Sequence, residues 1–165
     1  MYRIPVRIDD GQQVTVEHIS TLEHLLECKD FLYEGWGKLQ EKSVGNGNVT
    51  WDEFMQLVVA VALSPEAEGT VLVMRSKNEK PLLFMVAYND SVTSREHCLF
   101  IYAGYSTGRC QAATTAAWMY LHSWAKDRGF MKLRAQSRRL NGAAMRWFKR
   151  KLGFRPTALM FEKEI

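Results

Sequence analysis

Residues 112–128 run for seventeen positions without Pro or Gly, and Ala113, Ala117, Leu121 and Trp124 recur along them at helical spacing. One long helix is the reading this demands, and Gly129 is a good residue to end it. Phe130, Met131, Leu133 and Ala135 then stand among Lys132, Arg134 and Gln136, which predicts a strand with at least one buried face. After the Leu140-Asn141 turn, Ala144, Trp147, Phe148 and Leu152 space out a second helix that closes at Gly153-Phe154. Helix, strand, helix is the frame into which the rest of the chain has to fit.

The preceding segments supply partners for that frame. Tyr2, Ile4, Val6 and Ile8 alternate with Arg3, Pro5 and Arg7, a strand whose proline assigns it to a sheet edge. Asp9-Asp10-Gly11 turns it, and residues 14–17 pair back as a hairpin. Ser20-x-x-Glu23 reads as a capping box for a helix whose core face is Leu22, Leu25, Leu26, Leu32, Tyr33 and Trp36. Residues 43–48 break that helix. Thr50-x-x-Glu53 caps the next one, with a stripe of Trp51, Phe54, Met55, Val58 and Ala62 that ends at Ser64-Pro65. Three strands are expected at 70–74, 82–88 and 98–104, joined by connections short enough for hairpins, and a last strand at 158–164. The fold class is therefore α/β (α+β), a mixed and mostly antiparallel sheet of six to seven strands flanked by about four helices. No repeat or linker divides residues 1–165, so one domain is expected.

The small residues Ala112, Ala113, Thr114, Thr115, Ala116 and Ala117 leave the start of the long helix unshielded, and free amides at a helix N-terminus bind anions. Arg109 just before them opposes the positive end of the helix dipole, a conflict that a phosphate between them would resolve. With Arg109-x-x-Ala112-x-Thr114, then Asn141-x-x-Ala144-x-x-Trp147-Phe148, then Gly153-Phe154, the chain resembles the GNAT superfamily of acetyl-CoA-dependent N-acetyltransferases. It departs from that pattern where Ala112 and Thr114 replace glycines of the pyrophosphate loop. It departs again where Phe148 stands in place of a Tyr thought to protonate the departing thiolate, since a phenyl ring has no proton to give.

The resemblance implies acetyl-CoA as cofactor, held by Arg109, Ala112, Ala113, Thr114, Thr115, Asn141, Ala144 and Phe148 and by the strand at Phe100, Ile101 and Tyr102. In it, that strand splays from the strand after the long helix, and pantetheine lies between them while backbone amides near residues 100–103 polarise the thioester. Glu96 is the candidate base and His97 the second. Tyr102 and Tyr105 are the substitutes for the missing acid, and Trp36 and Trp51, with Asp52 and Glu53, the candidate hold on an amine acceptor. Ordinary strand and core packing, or a solvated hairpin charge, would use the same residues.

Charge is divided along the chain. Residues 1–100 carry nine Lys/Arg against fifteen Asp/Glu, a balance of −6, and residues 101–165 carry thirteen against three, a balance of +10. A polyanion such as CoA is steered to the basic half, where Arg138, Arg139, Arg146, Lys149, Arg150 and Lys151 cluster. Nucleic acid would be steered there too, though Trp147 and Phe148 fall on the face that a helix buries. Cys28, Cys98 and Cys110 suggest neither a disulfide framework nor a zinc site, and His18, His24 and His122 have no partner at ligand spacing, so no metal is expected. The polar start and the lack of a long apolar run lead to the expectation of a cytoplasmic protein without a membrane span. Three functions remain open: N-acetyltransferase acting on a primary amine of a small molecule or protein, catalytically degenerate binding module of the same fold, and nucleic-acid binder. Self-association into a homodimer also remains open.

Overall fold

The structure is a computed structural model that describes residues 3–7, 13–41, 49–65, 68–90, 97–107, 111–135, 146, 148–150 and 152–156. Its described elements are β1 (Arg3–Arg7), β2 (Gln13–Ile19), α1 (Leu22–Glu27), α2 (Lys29–Glu41), α3 (Trp51–Ala62), β3 (Gly69–Ser76), β4 (Pro81–Asn89), β5 (Cys98–Ser106), α4 (Gln111–Asp127) and β6 (Lys132–Ala135). Arg146 and residues 148–150 are helical as well. The expected strand at 158–164 lies outside the described residues.

All six strands form one sheet in the order β1-β2-β3-β4-β5-β6. The first four pairings are antiparallel, as hairpin-length connections require, and β5 pairs β6 in parallel because α4 crosses between them. The proline-bearing β1 is an edge strand. The two central strands read as nearly continuous apolar runs, since both faces are covered. Leu72 and Met74 of β3 with Leu83, Met85 and Ala87 of β4 face α4, where they meet Ala113, Ala117, Leu121 and Trp124. The alternate residues Val71, Val73, Phe84 and Val86 face α1, α2 and α3, where they meet Leu25, Phe31, Leu32, Phe54 and Val58.

α4 ends as the sequence predicts. Gly129 takes φ +79°. The amides of Gly129 and Phe130 donate to the carbonyls of Lys126 and Ala125 at 3.0 Å each, so both orphan carbonyls are satisfied by a left-handed cap. The Thr50–Glu53 capping box is also present, reciprocal in both directions.

The first predicted helix differs in two respects. Its N-cap is Thr21 rather than Ser20, with Thr21 Oγ1 accepting from the amide of His24 at 3.2 Å. It is also two helices, α1 and α2, broken at Cys28. The break re-aims the apolar stripe: Leu25, Phe31, Leu32 and Gly35 are buried, whereas Leu22, Leu26 and Tyr33 are more than half exposed. The cause lies in the tertiary structure. Glu17 of β2 is fully buried and holds Arg75 Nε at 2.9 Å and His24 Nε2 at 3.2 Å, while Arg75 Nη2 reaches Cys28 Sγ at 3.2 Å. This network pins the α1–α2 junction to β2 and β3, and burial pushes the Cys28 thiol upward.

On the opposite face His18 plays a packing role. Its ring nitrogens meet Thr70 Oγ1 at 2.6 Å and Tyr120 OH at 2.7 Å, and its ring lies against Trp124. Among the described residues no group of three or more His, Cys, Asp or Glu could hold a metal ion, and no helix is long and apolar enough to cross a membrane.

Candidate active site

Among the described residues, β5 takes part in one of the sheet's two register shifts, the other lying between Met74 and Arg75 of β3. The parallel pairing of β5 with β6 runs from Cys98↔Lys132 to Ile101↔Ala135. One residue further on, the register with β4 shifts: Ala87 faces Ile101 and Val86 faces Ala103, so Tyr102 is an extra residue in the strand. Such a bulge bends a strand and increases its twist. From Tyr102 to Ser106, β5 keeps its partner on the β4 side and has no β6 residue beside it among the described residues.

α4 begins five residues after β5 ends, so its first turn lies close in sequence to this open length of strand. That turn carries no acidic residue. Ala113 is buried in the core beneath the helix, which fixes the turn against the sheet, while Ala112, Thr114 and Thr115 are half-buried. A helix start anchored in this way and free of carboxylates suits an anion. Arg109, Asn141 and Ala144 lie outside the described residues.

Phe148 belongs to an aromatic triad. Its ring stands edge-on to Trp118 at 5.6 Å and to Phe154 at 5.6 Å, and the Phe154 amide donates to the Phe148 carbonyl at 3.0 Å. Phe100 and Ile101 occupy the two faces of β5 just before the bulge, with the Phe100 ring 5.5 Å from Tyr88 and Ile101 in the core under α4. The Tyr102 ring lies 6.4 Å from both Phe54 and Tyr88, on the face covered by the first three helices.

Tyr105 shares that face. Its hydroxyl donates to Glu34 Oε1 of α2 at 2.7 Å, and burial, followed by that carboxylate, pushes its pKa up to about 12. Such a phenol keeps its proton at neutral pH, which suits donation to Glu34. Handing that proton to a thiolate of pKa about 8.5 is uphill by several units. Tyr105 therefore fits orientation better than acid catalysis.

Of the candidate bases, Glu96 lies outside the described residues. His97 stacks on Phe130 at 4.2 Å and donates from Nδ1 to the Gly129 carbonyl at 3.2 Å. It precedes Tyr102 by five residues of strand, roughly 16 Å at the usual rise, so the structure does not bring it to the bulge.

Trp36 and Trp51 are brought together, 5.8 Å apart and each in contact with Tyr33. The Trp36 indole N–H donates to Val49 O at 2.9 Å, so the pair ties the chain just before α3 to α2. Trp51 continues through Phe54, 5.8 Å away, to Tyr102. Glu34 went unrecognised in the sequence. The available signal was Gly35 in the middle of a helix, which marks a close backbone approach.

No family model matches the chain, and no curated protein matches it. Solved structures do. A possible acetyltransferase from Clostridium difficile 630 superposes with a TM-score of 0.68 at 17% identity, over 92% of this chain and 97% of its own. The aminoglycoside N-acetyltransferase AAC(6')-Iy, in complex with a CoA bisubstrate analogue, gives 0.66 at 9% identity over 92% and 98%. A ribosomal-protein-alanine N-acetyltransferase from Brucella melitensis biovar Abortus 2308 gives 0.58 at 14% over 92% and 97%. The chain has the GNAT fold.

Proposed function

We propose that the chain is an acetyl-CoA-dependent N-acetyltransferase that acts directly on a primary amine. The observation that carries this is the GNAT fold itself, in which the bulge of β5 falls at Tyr102 and α4 starts five residues after β5 with no carboxylate in its first turn. Complexes of structural neighbours with CoA and a CoA bisubstrate analogue support the same ligand here.

Bound acetyl-CoA supplies a thioester, whose acyl carbon bonds to the amine nitrogen as its bond to sulfur breaks, while the amine's surplus proton ends on the leaving thiol. The chain's own tasks are to hold the ligand and to polarise the acyl oxygen. Amides of the first α4 turn, Ala112 to Thr115, together with Arg109, would hold the pyrophosphate. Thr114 contributes a hydroxyl where glycine is usual. Asn141, Ala144 and Phe148 complete that side. Backbone amides near residues 100–103, around the bulge, would serve as oxyanion donors and need no particular side chain. Glu96 remains the candidate base.

A second reading is a binding module of this fold without turnover. Phe148 and the weakly acidic Tyr105 favour it, because neither is suited to protonate a thiolate. Calorimetric titration with acetyl-CoA tests the common part. Micromolar saturable binding is expected in the wild type and its loss in an Arg109→Ala, Thr114→Glu double variant, whereas a wild type that does not bind refutes the enzyme. Phe148→Tyr then separates the two readings: it should raise turnover in an enzyme and change nothing in a module.

A further inference from the structure

Glu34 has a defined place but no task in the reaction outlined above. It is exposed on α2, and its Oε1 accepts the 2.7 Å hydrogen bond from Tyr105 OH, joining a helix to a strand residue 71 positions away. Several features set this contact up. Gly35 is buried, and a Cβ there would collide with Cε1 of Phe84 and lie 2.8 Å from Cδ1 of Tyr105, so glycine is what lets α2 approach the sheet this closely. Phe31, one turn earlier, packs its ring 5.8 Å from those of Phe84 and Tyr105 and fixes the height of the helix. Tyr105 itself stands on the open length of β5, three residues beyond the bulge.

The surrounding charge also leaves Glu34 available. Lys38, one turn along, is committed to Glu41, with Nζ 3.0 Å from both carboxylate oxygens. Among the described residues Glu34 has no cationic partner, and Tyr105 is its hydrogen-bond donor. The phenol holds one carboxylate oxygen and restricts the rotamer of a residue that is otherwise exposed to solvent. An ammonium group has three donors and matches such an acceptor through a charge-assisted bond.

We propose that Glu34, oriented by Tyr105, is the carboxylate that receives the acceptor's ammonium, and that the acceptor is therefore a cationic primary amine entering on the α2 side of β5. This rests on the acetyl-transfer reading above and assigns its acceptor class. Glu34 is then a substrate-binding residue and Tyr105 a positioning residue. The division of charge agrees with it: the half of the chain that carries α2 has a balance of −6, which draws in a cation, while the other half draws in the polyanion.

The test uses spermidine and phenethylamine as probes, with N-acetylphenethylamine as the neutral control, titrated into the full chain and followed by tryptophan emission with and without saturating CoA. Both amines should bind saturably and the neutral control should not. Glu34→Gln should weaken amine binding by about tenfold or more, the scale of a hydrogen bond between charged groups. Tyr105→Phe should weaken it by about threefold without altering CoA affinity, a change that loss of packing alone would not give. Glu41→Gln removes the same charge from the same helix and should leave affinity within about twofold, since its effect is only a screened field.

Equal affinity in Glu34→Gln and wild type, an equal loss in Glu41→Gln, or no binding of either amine to the wild type would overturn the assignment. Acetyl-CoA affinity is read on the same samples by calorimetry. Glu34-dependent amine binding without acetyl-CoA binding would uphold the amine site and refute acetyl transfer, and the reverse would overturn the amine site alone.

Discussion

Gly35 and Gly37 stand two positions apart on α2 and place opposite demands on a side chain. At Gly35 an added Cβ meets the ring of Phe84, which is fully buried and cannot yield, and then the ring of Tyr105. Overpacking of this kind costs about 1–3 kcal/mol, more than the roughly 1 kcal/mol that alanine gains over glycine in a helix interior. At Gly37 nothing lies within 4 Å, so only the helix gain remains. Gly35→Ala should therefore lower the melting temperature and Gly37→Ala should raise it. Equal shifts in both variants would mean that α2 does not rest on β5 as described. Gly35→Ala should also separate Glu34 from Tyr105. In the wild type the Tyr105 phenol, raised to about 12, stays protonated while unperturbed tyrosines ionise near 10. The stability linked to it is present below about pH 10 and is lost as pH rises through 12. Burial raises the Tyr88 phenol as well, so an ultraviolet titration should show one fewer late-ionising tyrosine in the variant than in the wild type.

α3 tests a different kind of statement, because its N-terminus was legible as a local pattern. The Thr50 amide donates to Glu53 Oε2 at 2.8 Å and the Glu53 amide to Thr50 Oγ1 at 3.2 Å. Thr50→Ala removes one arm of this box and should cost about 1 kcal/mol in chemical denaturation. The hydrogen bond from the Thr50 amide, and then that from its hydroxyl, lower the Glu53 pKa below the usual carboxylate range. A lowered folded pKa gives stability that is present above the unfolded value and is lost as pH falls through the folded one. The stability difference between wild type and Glu53→Gln should thus shrink as pH drops below about 4. A constant difference would place the carboxylate outside the box. The cap, the alanine stripe of α4 and the glycine that ends it are all dictated by residues within one or two turns, and so they could be read from the sequence. The break at Cys28 could not be read, since it is imposed by Arg75 and Glu17, which sit 58 positions apart on different strands. Glu17 itself looks like the solvent face of a hairpin until Arg75 and His24 are seen to enclose it. The bulge at Tyr102 is equally silent in the sequence. The run from Cys98 to Ala103 has no glycine or proline to mark it, and the register shift arises in the pairing with β4. The open part of the candidate site was therefore expected from resemblance, while the Glu34–Tyr105 contact had to be seen in three dimensions.

Charge connects these parts over a longer range. The fold lays the chain across its sheet in sequence order from β1 to β6, so the acidic and basic portions of the sequence become different sides of the protein. Lys126, Arg128, Lys132 and Arg134 follow one another through the end of α4 into β6, and Arg146, Lys149 and Arg150 lie in the helical stretch beyond. A ligand with several phosphates approaching this basic side feels several of these charges together, not one contact. Long-range attraction of this kind acts mainly on the rate of encounter and is screened beyond about 10 Å at 0.1 M salt. Raising the salt from low to high concentration should therefore slow association of acetyl-CoA several-fold and leave its dissociation nearly unchanged, if the proposed short contacts at the helix terminus hold the bound phosphates. Stopped-flow measurement of both rates checks this. A nucleic-acid partner on the same surface would behave differently, its equilibrium constant falling steeply with salt in proportion to the number of phosphates neutralised. If salt instead accelerates dissociation of acetyl-CoA while association stays constant, the basic side contributes direct contacts but no steering. The division of charge would then have no part in delivering the two substrates to opposite faces of β5.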